Sequence, residues 1–170
     1  GRIHTKFNQT VTTTGRLSSN NPNLQNIPIR TQNGQRIREA FIPRSEEFEL
    51  LAADYSQIEL RVIASISKDE NMVDAFIKNQ DIHTITAAKI YNIEPDDVSR
   101  EQRGNAKTVN FGIIYGVSAF GLSQQTNLSR SESKIMIDNY FENYPGLKDY
   151  MSSQIDFARN NGYVQTIMGR

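Results

Sequence analysis

Cysteine and tryptophan are both absent from the 170 residues, and no apolar run approaches the length of a membrane span. Without cysteine the chain has no disulfide framework, no zinc–thiolate site and no thiol nucleophile. A membrane helix needs about 20 mostly apolar residues, so we expect a soluble, intracellular protein with no membrane partner. The chain begins Gly1-Arg2-Ile3-His4, which is neither an initiator Met nor a signal peptide, so we expect a piece of a longer protein.

Net charge is absent too, because 19 Lys+Arg balance 19 Asp+Glu. Residues 1–44 nevertheless carry seven basic side chains and one acid, whereas residues 45–102 carry five basic and thirteen acidic side chains. The basic stretch is typical of a surface that binds phosphates, and the acidic stretch suits a cation. Alternatively, the two stretches are solvated faces that neutralise each other across the fold.

Strand signals lie near the two ends of the chain. Residues 1–35 are rich in Thr, Asn and Gly, which predicts mostly loop with short extended pieces. Strand-length apolar runs at 37–44 and 48–54 predict an antiparallel pair, and alternation over 162–168 predicts a further strand.

Helical spacing dominates the middle of the chain. Ile58, Val62 and Ile66 share a helix face, and Ser56 with Glu59 forms an S-x-x-E capping box at its start. Breaker residues delimit further helices, which we expect over 69–79, 82–91, 99–115, 118–126, 130–143 and 146–160. The pattern predicts an α+β fold with a small antiparallel sheet and a helical subdomain.

Asp54 ends an apolar run, where a carboxylate is costly to desolvate unless a cation or hydrogen-bond donors meet it. One interpretation is a cap for the following helix. The other is a ligand for a hard metal such as Mg²⁺, which needs further oxygen ligands and often takes them from substrate phosphates.

A second candidate site lies on one helix, where Arg103, Lys107, Phe111 and Tyr115 follow one another at intervals of four. A step of four advances only about 40° around a helix, so the four side chains form one stripe about 18 Å long. A nucleoside triphosphate along this stripe would meet cations at its phosphates and aromatic rings near its sugar and base. Alternatively, the aromatic rings are core and the two cations are solvated.

Four segments carry a family resemblance: Thr14-Gly15-Arg16-Leu17-Ser18-Ser19, Pro22-Asn23-Leu24-Gln25-Asn26-Ile27-Pro28, Asp54-Tyr55-Ser56-Gln57-Ile58-Glu59-Leu60-Arg61 and Arg103-x-x-x-Lys107-Thr108-x-Asn110-Phe111-Gly112-x-x-Tyr115-Gly116. The last two resemble motifs A and B of the family A DNA polymerases, the bacterial DNA polymerase I group. The first two are similar to the primer–template contact segment of that family. The resemblance covers essentially the whole chain, in order.

The resemblance implies a fragment of a polymerase right hand. Residues 1–67 would be part of the palm, 68–160 most of the fingers, and 161–170 a return strand toward the palm. The parent enzyme would be a DNA-directed DNA polymerase, a nucleotidyltransferase of DNA replication and repair. It would add deoxynucleotides to a primer 3′ end and release pyrophosphate, as a monomer in the bacterial cytoplasm, at the nucleoid, or in a phage-infected cell.

The resemblance also implies the metal and nucleotide ligands. Asp54 and the Tyr55 backbone carbonyl would hold the catalytic pair of Mg²⁺ ions, with Asp54 and Lys107 as catalytic residues. The deoxynucleoside triphosphate would be bound by six residues: Glu59, His83, Arg103, Lys107, Phe111 and Tyr115. Glu59 would exclude a ribose 2′-hydroxyl, although a helix-capping role for Glu59 and an ordinary helix-terminal role for His83 remain open. Primer–template DNA would be contacted by Arg16, Gln25 and Asn26.

Two departures from the family pattern qualify these expectations. Gly104 stands where many relatives place a second basic residue, and the chain ends before the signature that brings the second metal-binding aspartate, so we expect the isolated chain to be inactive. A non-catalytic nucleic-acid-binding module is an alternative function, favoured by the basic first 44 residues. A relative of the single-subunit RNA polymerases is another, against which Glu59 argues.

Overall fold

The structure is a computed structural model that describes residues 1–29 and 31–170. The chain forms two compact units, Gly1–Asp54 and Tyr55–Arg170. Among the described residues, none of the helices has both the length and the apolar character that crossing a membrane requires.

Two short strands and a series of helices make up the described residues. Their bounds are β1 (Lys6–Asn8), β2 (Ser18–Asn20), α1 (Gln32–Glu39), α2 (Ile58–Ser67), α3 (Glu70–Ile77), α4 (Ile82–Tyr91), a 3-10 turn (Pro95–Asp97), α5 (Arg100–Ile114), α6 (Ala119–Ser123), α7 (Arg130–Asn143) and α8 (Pro145–Asn161). A small antiparallel sheet beside a helical subdomain confirms the predicted α+β class.

The sheet of the first unit is a two-stranded ribbon. β1 and β2 pair antiparallel with Phe7 opposite Ser19. The Thr5 hydroxyl lies 2.7 Å from the Ser19 hydroxyl and donates to the Pro22 carbonyl at 2.7 Å, while the buried Ser19 hydroxyl accepts from the Leu24 amide at 3.0 Å. Side-chain hydroxyls therefore tie the ribbon to the loop that follows it.

The strand pair predicted at 37–44 and 48–54 is wrong. α1 takes up part of the first run, because the Thr31 side chain accepts from the Gly34 amide and starts a helix there. The second run has no regular structure, and Leu51 is 94% exposed. Residue type makes a run compatible with a strand, but a strand forms only where a partner pairs with its backbone.

The helices of the second unit confirm the predicted series, and α4 and α7 have the predicted bounds. Local signals explain much of the agreement, because five of these helices have an N-cap side chain that accepts a backbone amide of the first turn. These N-caps are Asp69, Asp81, Ser99, Ser118 and Ser129, which begin α3, α4, α5, α6 and α7.

The capping box predicted at Ser56 and Glu59 is also wrong. The N-cap of α2 is Gln57, in the left-handed region with φ 54°, and it makes no side-chain cap hydrogen bond. Glu59 is thus the second helical residue instead of the third, and its carboxylate cannot complete the box. Its carboxylate makes a contact outside its own helix instead.

The strand predicted over 162–168 does not form either. α8 ends at Gly162, a left-handed C-cap with φ 76°. The Thr166 amide then donates to the Arg170 carbonyl at 2.7 Å, and the Tyr163 ring packs edge-on against Phe157 at 5.5 Å between centroids. Local contacts close this segment without a pairing strand.

The hydrophobic core belongs to the second unit, and one buried carboxylate orders it. Asp69 is 1% exposed. One of its oxygens accepts from the Met72 amide at 3.0 Å at the start of α3, and the other accepts from the Gly146 amide at 2.9 Å at the start of α8. A Cβ on residue 146 would lie 2.9 Å from the Asp69 Cα, so only glycine permits this approach. One side chain therefore joins two helix N-termini.

Candidate functional site

The start of α5 is fixed by a reciprocal cap. The Ser99 hydroxyl accepts from the Gln102 amide at 3.2 Å, and the Gln102 side chain accepts from the Ser99 amide at 2.9 Å. The predicted stripe follows on this helix, with Arg103 and Lys107 exposed, Phe111 half-buried and Tyr115 as the C-cap.

Arg103 is held by a carboxylate on the neighbouring helix. Its Nε donates to Asp81 Oδ2 at 2.6 Å, and Asp81 also accepts from the Thr84 hydroxyl at 2.8 Å and from the His83 amide at 3.1 Å. Partial burial would raise the pKa of Asp81, but the hydrogen bonds from Arg103 and Thr84 outweigh it and hold that pKa below its ordinary value. Asp81 is therefore an anion that orients the Arg103 guanidinium.

His83 is 3% exposed and lies beside this ion pair. Its pKa is lowered from 6.5 to about 4, mainly because burial disfavours the imidazolium, and Arg103 and Lys107 lower it further against the opposing effect of Asp81. The ring packs against Phe111 with 5.8 Å between centroids. At neutral pH His83 is therefore an uncharged ring, held next to two cations and an aromatic side chain.

A buried polar network continues from His83 into the core. Asn110 Nδ2 lies 3.1 Å from His83 Nδ1, and the Thr86 hydroxyl lies 3.2 Å from both polar atoms of the Asn110 amide. Thr86 Oγ1 is also 2.9 Å from the Tyr144 hydroxyl. Four side chains thus connect α4, α5 and the junction of α7 with α8.

The C-terminal end of α5 has a Schellman motif. The Val117 amide donates to the Gly112 carbonyl at 2.8 Å and the Gly116 amide to the Ile113 carbonyl at 2.9 Å, with Gly116 at φ 74°. A Cβ on residue 112 would lie 2.7 Å from Val117 Cγ1, so the chain can fold back only over a glycine. This turn fixes the direction of Tyr115.

Tyr115 connects this end of the helix to α2. Its hydroxyl donates to Glu59 Oε2 at 2.8 Å, while the ring remains 64% exposed. Arg61, further along α2, donates from Nε to the Ser56 carbonyl at 3.0 Å and stacks over Phe76 at 4.7 Å. The contacts hold the segment before α2 and place the Glu59 carboxylate next to the end of the stripe.

The predicted DNA-contacting residues belong to the first unit. The Gln25 side chain donates to the Leu17 carbonyl at 3.1 Å, which ties the loop of the second resembling segment to the first. Arg16 and Asn26 are exposed, and the Arg16 carbonyl accepts from the Thr12 hydroxyl at 2.6 Å. The three side chains lie on loops, not on helices or strands.

Comparisons with known proteins identify the family of this chain. The sequence model of DNA polymerase family A matches residues 1–170. The chain belongs to this family. It is 55% identical over 171 residues to the DNA polymerase I of Streptococcus pneumoniae serotype 4 (strain ATCC BAA-334 / TIGR4), and 52% identical over 169 residues to that of Bacillus subtilis (strain 168). These alignments cover 100% and 99% of the chain but only 20% and 19% of the two relatives, so the chain spans about a fifth of their length.

A solved family A structure has the same fold. The POL domain of Pol1 from M. smegmatis, in complex with DNA primer-template and dNTP, superposes with a TM-score of 0.89 at 45% identity. The match covers 100% of this chain and 30% of that chain.

Within this family A chain, the six residues predicted to bind the nucleotide all lie in the second unit. The structure joins three of them, Arg103, His83 and Phe111, through direct contacts or through Asp81. It separately joins Tyr115 with Glu59. Lys107 is near enough to His83 to lower the pKa of the imidazole. Asp54, Arg16, Gln25 and Asn26 belong to the first unit.

Sequence reasoning missed four residues of this arrangement: Asp81, Thr86, Asn110 and Tyr144. Asp81 carried a signal, since an aspartate directly before a helical pattern is a typical N-cap. Asn110 carried a weaker one, as a polar residue at a buried position between Ala106 and Ile113. Thr86 had none, because its partner Tyr144 lies 58 residues away.

The predicted metal ligands are oxygen donors of the type that Mg²⁺ prefers, but two of them are too few for a complete site. Asp54 is exposed and offers a carboxylate, and Tyr55 offers a carbonyl oxygen, which are the donors that Mg²⁺ prefers. Among the described residues, however, no three His, Cys, Asp or Glu side chains are close enough together to hold a metal. Further ligands are therefore required for a complete site.

Proposed function

We propose that this chain is the nucleotide-selecting part of a DNA-directed DNA polymerase. The observation that carries the proposal is the α5 stripe, in which Arg103 is oriented by Asp81 and Phe111 packs on a neutral His83. The relation to DNA polymerase I proteins and to a structure with bound primer-template and dNTP supports the same assignment. Residues 1–67 would belong to the palm, 68–160 to the fingers and 161–170 to the return toward the palm.

Each side chain of the stripe then has a role that its chemistry supports. Arg103 and Lys107 would neutralise the triphosphate, and His83 would donate a hydrogen bond to it. Phe111 would stack near the sugar and base of the incoming nucleotide. Glu59, held by the Tyr115 hydroxyl, would leave no room for a ribose 2′-hydroxyl.

The metal assignment is part of the same proposal. Asp54 and the Tyr55 carbonyl would supply two of the oxygens that hold Mg²⁺, and the remaining ligands would come from the substrate phosphates and from residues outside this chain. When bound, Mg²⁺ lowers the pKa of the primer 3′-hydroxyl and offsets the charge of the leaving pyrophosphate. Lys107 would add positive charge where the phosphoryl group is transferred.

The first unit would contact the primer–template. Arg16, Gln25 and Asn26 carry hydrogen-bond donors on loops, and minor-groove acceptors are nearly the same for every base pair. Such donors can test the geometry of a base pair without reading the sequence. The complete enzyme would work as a monomer in the bacterial cytoplasm, where its DNA substrate lies.

The test uses a chimera, defined as the B. subtilis DNA polymerase I in which this chain replaces the matching segment. Lys107→Ala is expected to raise the KM for deoxynucleotides or lower kcat by about 10- to 100-fold, since a hydrogen bond to a charged group contributes about 1.5–3 kcal/mol. The matched control is Lys134→Ala, which removes an exposed lysine paired with Asp138 on α7. The KM and kcat of this control variant should stay within about twofold of those of the unmodified chimera.

The same chimera tests the competing functions. Equal kinetics for the Lys107 and Lys134 variants would contradict the stripe assignment. Primer–template binding without any incorporation would instead favour a non-catalytic nucleic-acid-binding module. For Asp54→Ala we expect loss of extension with nearly unchanged affinity for primer–template, because the carboxylate would act on the metal and not on the duplex.

A further inference from the structure

The polar network behind His83 can be assigned donors and acceptors that all point toward His83 Nδ1. We propose that Asn110 is a positioning residue, which fixes the His83 tautomer with its proton on Nε2 so that a neutral N–H donor faces the nucleotide phosphates. The inference rests on the proposed function for its last step, the phosphate, but not for the tautomer itself. Its basis is the set of four side chains described above, all between 0% and 3% exposed.

One assignment of the hydrogens gives every step of the network a donor and an acceptor. The Tyr144 and Thr86 hydroxyls each carry one hydrogen, and their oxygens are 2.9 Å apart. If Tyr144 donates to Thr86, the Thr86 hydrogen is available for Asn110 Oδ1 at 3.2 Å. The amide nitrogen of Asn110 is then directed at His83 Nδ1, 3.1 Å away, and an imidazole nitrogen that accepts carries no proton.

The charges around His83 favour the same neutral state. Arg103 and Lys107 oppose a proton on the ring and Asp81 favours it, while Tyr144 reaches the ring only through Thr86 and Asn110. An imidazolium would also direct an Nδ1–H at the amide hydrogens of Asn110, and two donors would then face each other in a site without water access. Both effects favour the neutral imidazole over the imidazolium, and in the neutral ring Nε2 carries the only N–H.

This arrangement gives the proposed site a donor that does not change with pH near neutrality. A surface histidine would titrate near pH 6.5 and change the charge at the phosphates. Here the two permanent cations supply the charge, and His83 supplies a directed hydrogen bond. The Phe111 ring restricts rotation of the imidazole from one side, and Asn110 sets its orientation from the other.

The tautomer can be measured directly, because the chain contains only two histidines. Nitrogen-15 NMR of the 170-residue protein labelled at histidine distinguishes protonated from unprotonated ring nitrogens, and His4→Gln assigns the remaining signals to His83. We expect an unprotonated Nδ1 and a protonated Nε2 at pH 7. A protonated Nδ1 would overturn the proposal, because it is what the opposite orientation of the Asn110 amide predicts. An averaged mixture of both tautomers would overturn it too, because Asn110 would then not fix the tautomer.

Two variants separate positioning from mere packing. Asn110→Asp keeps the shape but offers only acceptors, so we expect the proton to move to Nδ1 and the pKa of His83 to rise. Thr86→Val keeps the volume but removes the hydroxyl that orients the amide, so we expect a mixture of tautomers. The matched control is Asn105→Asp, which puts the same charge on α5 at a residue bonded to Tyr91. It should keep the original tautomer.

If Asn110→Asp fails to fold, the Thr86→Val spectrum decides. An unchanged His83 tautomer in the folded Thr86→Val or Asn110→Asp protein would overturn the positioning role. Kinetics of the chimera test the last step separately: Asn110→Asp should raise the KM for deoxynucleotides by about tenfold with little change in kcat, the effect of one hydrogen bond to a charged group. A shifted tautomer with unchanged KM would contradict the phosphate contact of His83 while leaving the positioning of its ring intact.

Discussion

His83 is buried from solvent and yet lies beside the exposed cations of the candidate site. Its ring is buried between α4 and α5, yet two exposed cations and an anion lie around it. Burial lowers the pKa because the charged form would lose its hydration, and the cations add to that effect. The fold therefore keeps the ring neutral well below pH 6.5, and protonation must compete with folding.

The stability of the protein should therefore depend on pH through His83. Its pKa is about 4 in the folded chain and 6.5 ordinarily, so the unfolded chain binds a proton first as pH falls. The contribution is fully present above pH 6.5 and is lost progressively toward pH 4, by up to about 3 kcal/mol. The free energy of unfolding, measured with urea at several pH values in this range, should show this loss in the native protein and not in His83→Gln. Equal slopes in both proteins would contradict the buried neutral ring, since all carboxylates are common to both.

Glu59 is a second residue whose role depends on a distant partner. Its carboxylate accepts from Tyr115 at the end of α5 and does not cap its own helix. We expect Glu59→Ala in the chimera to reduce the preference for deoxy- over ribonucleotides on the order of tenfold or more, because the space for a 2′-hydroxyl opens. The measurement is the ratio of the two incorporation efficiencies. Glu142→Ala, at an exposed position on α7, is the control, and unchanged discrimination in Glu59→Ala would remove the selecting role.

At the scale of elements, α5 contains two interior glycines with opposite surroundings. A Cβ on residue 104 would meet no atom within 4 Å, whereas a Cβ on residue 112 would lie 2.7 Å from Val117. Gly104 therefore costs helix stability without a packing reason, and Gly112 is required by the turn that follows. The two positions form a matched pair on one helix.

The same substitution should act in opposite directions at these positions. Gly104→Ala is expected to raise the free energy of unfolding by about 1 kcal/mol, from helix propensity alone. Gly112→Ala is expected to lower it by about 1–3 kcal/mol, because the added methyl overpacks against Val117. Chemical denaturation measures both, and Val117→Ala should restore part of the loss in the Gly112 variant. A loss of stability in both single variants would show that the helix start also has a packing constraint.

At the scale of the whole molecule, the elements that could be predicted from sequence are those with local causes. α4 has the predicted bounds because Asp81 caps one end and Asn92 adopts a left-handed conformation at the other. The strand pair over 37–54 failed because the helix start at Thr31 takes part of the first run into α1, and residue type alone does not pair the second run. The stripe on α5 was predictable from its spacing. The buried polar network behind it was not, because Thr86 and Tyr144 meet only through the tertiary fold.

The two units differ in how they are stabilised. Every buried hydrophobic side chain among the described residues lies between Leu60 and Leu147, within Tyr55–Arg170. In the first unit the described residues that are buried are Ser19 and Gly34, and hydroxyl hydrogen bonds organise the ribbon. Because hydrophobic burial is the main favourable term in folding, the capacity to fold independently should reside in the second unit.

We therefore expect residues 55–170 alone to unfold cooperatively. The midpoint temperature of their thermal unfolding should lie within about 5 °C of that of the 170-residue chain, which corresponds to about 1 kcal/mol in the free energy of unfolding for a domain of this size. Residues 1–54 alone should show no cooperative transition, because a two-stranded ribbon is at best marginally stable in water. Calorimetry of the two pieces measures both, and hydrogen exchange of the intact chain should show slow amides in α4 and α5 and fast amides in β1 and β2. If residues 55–170 lose their cooperative transition while the intact chain keeps it, the first unit must contribute to the core, and the division at Asp54 would not be a folding boundary.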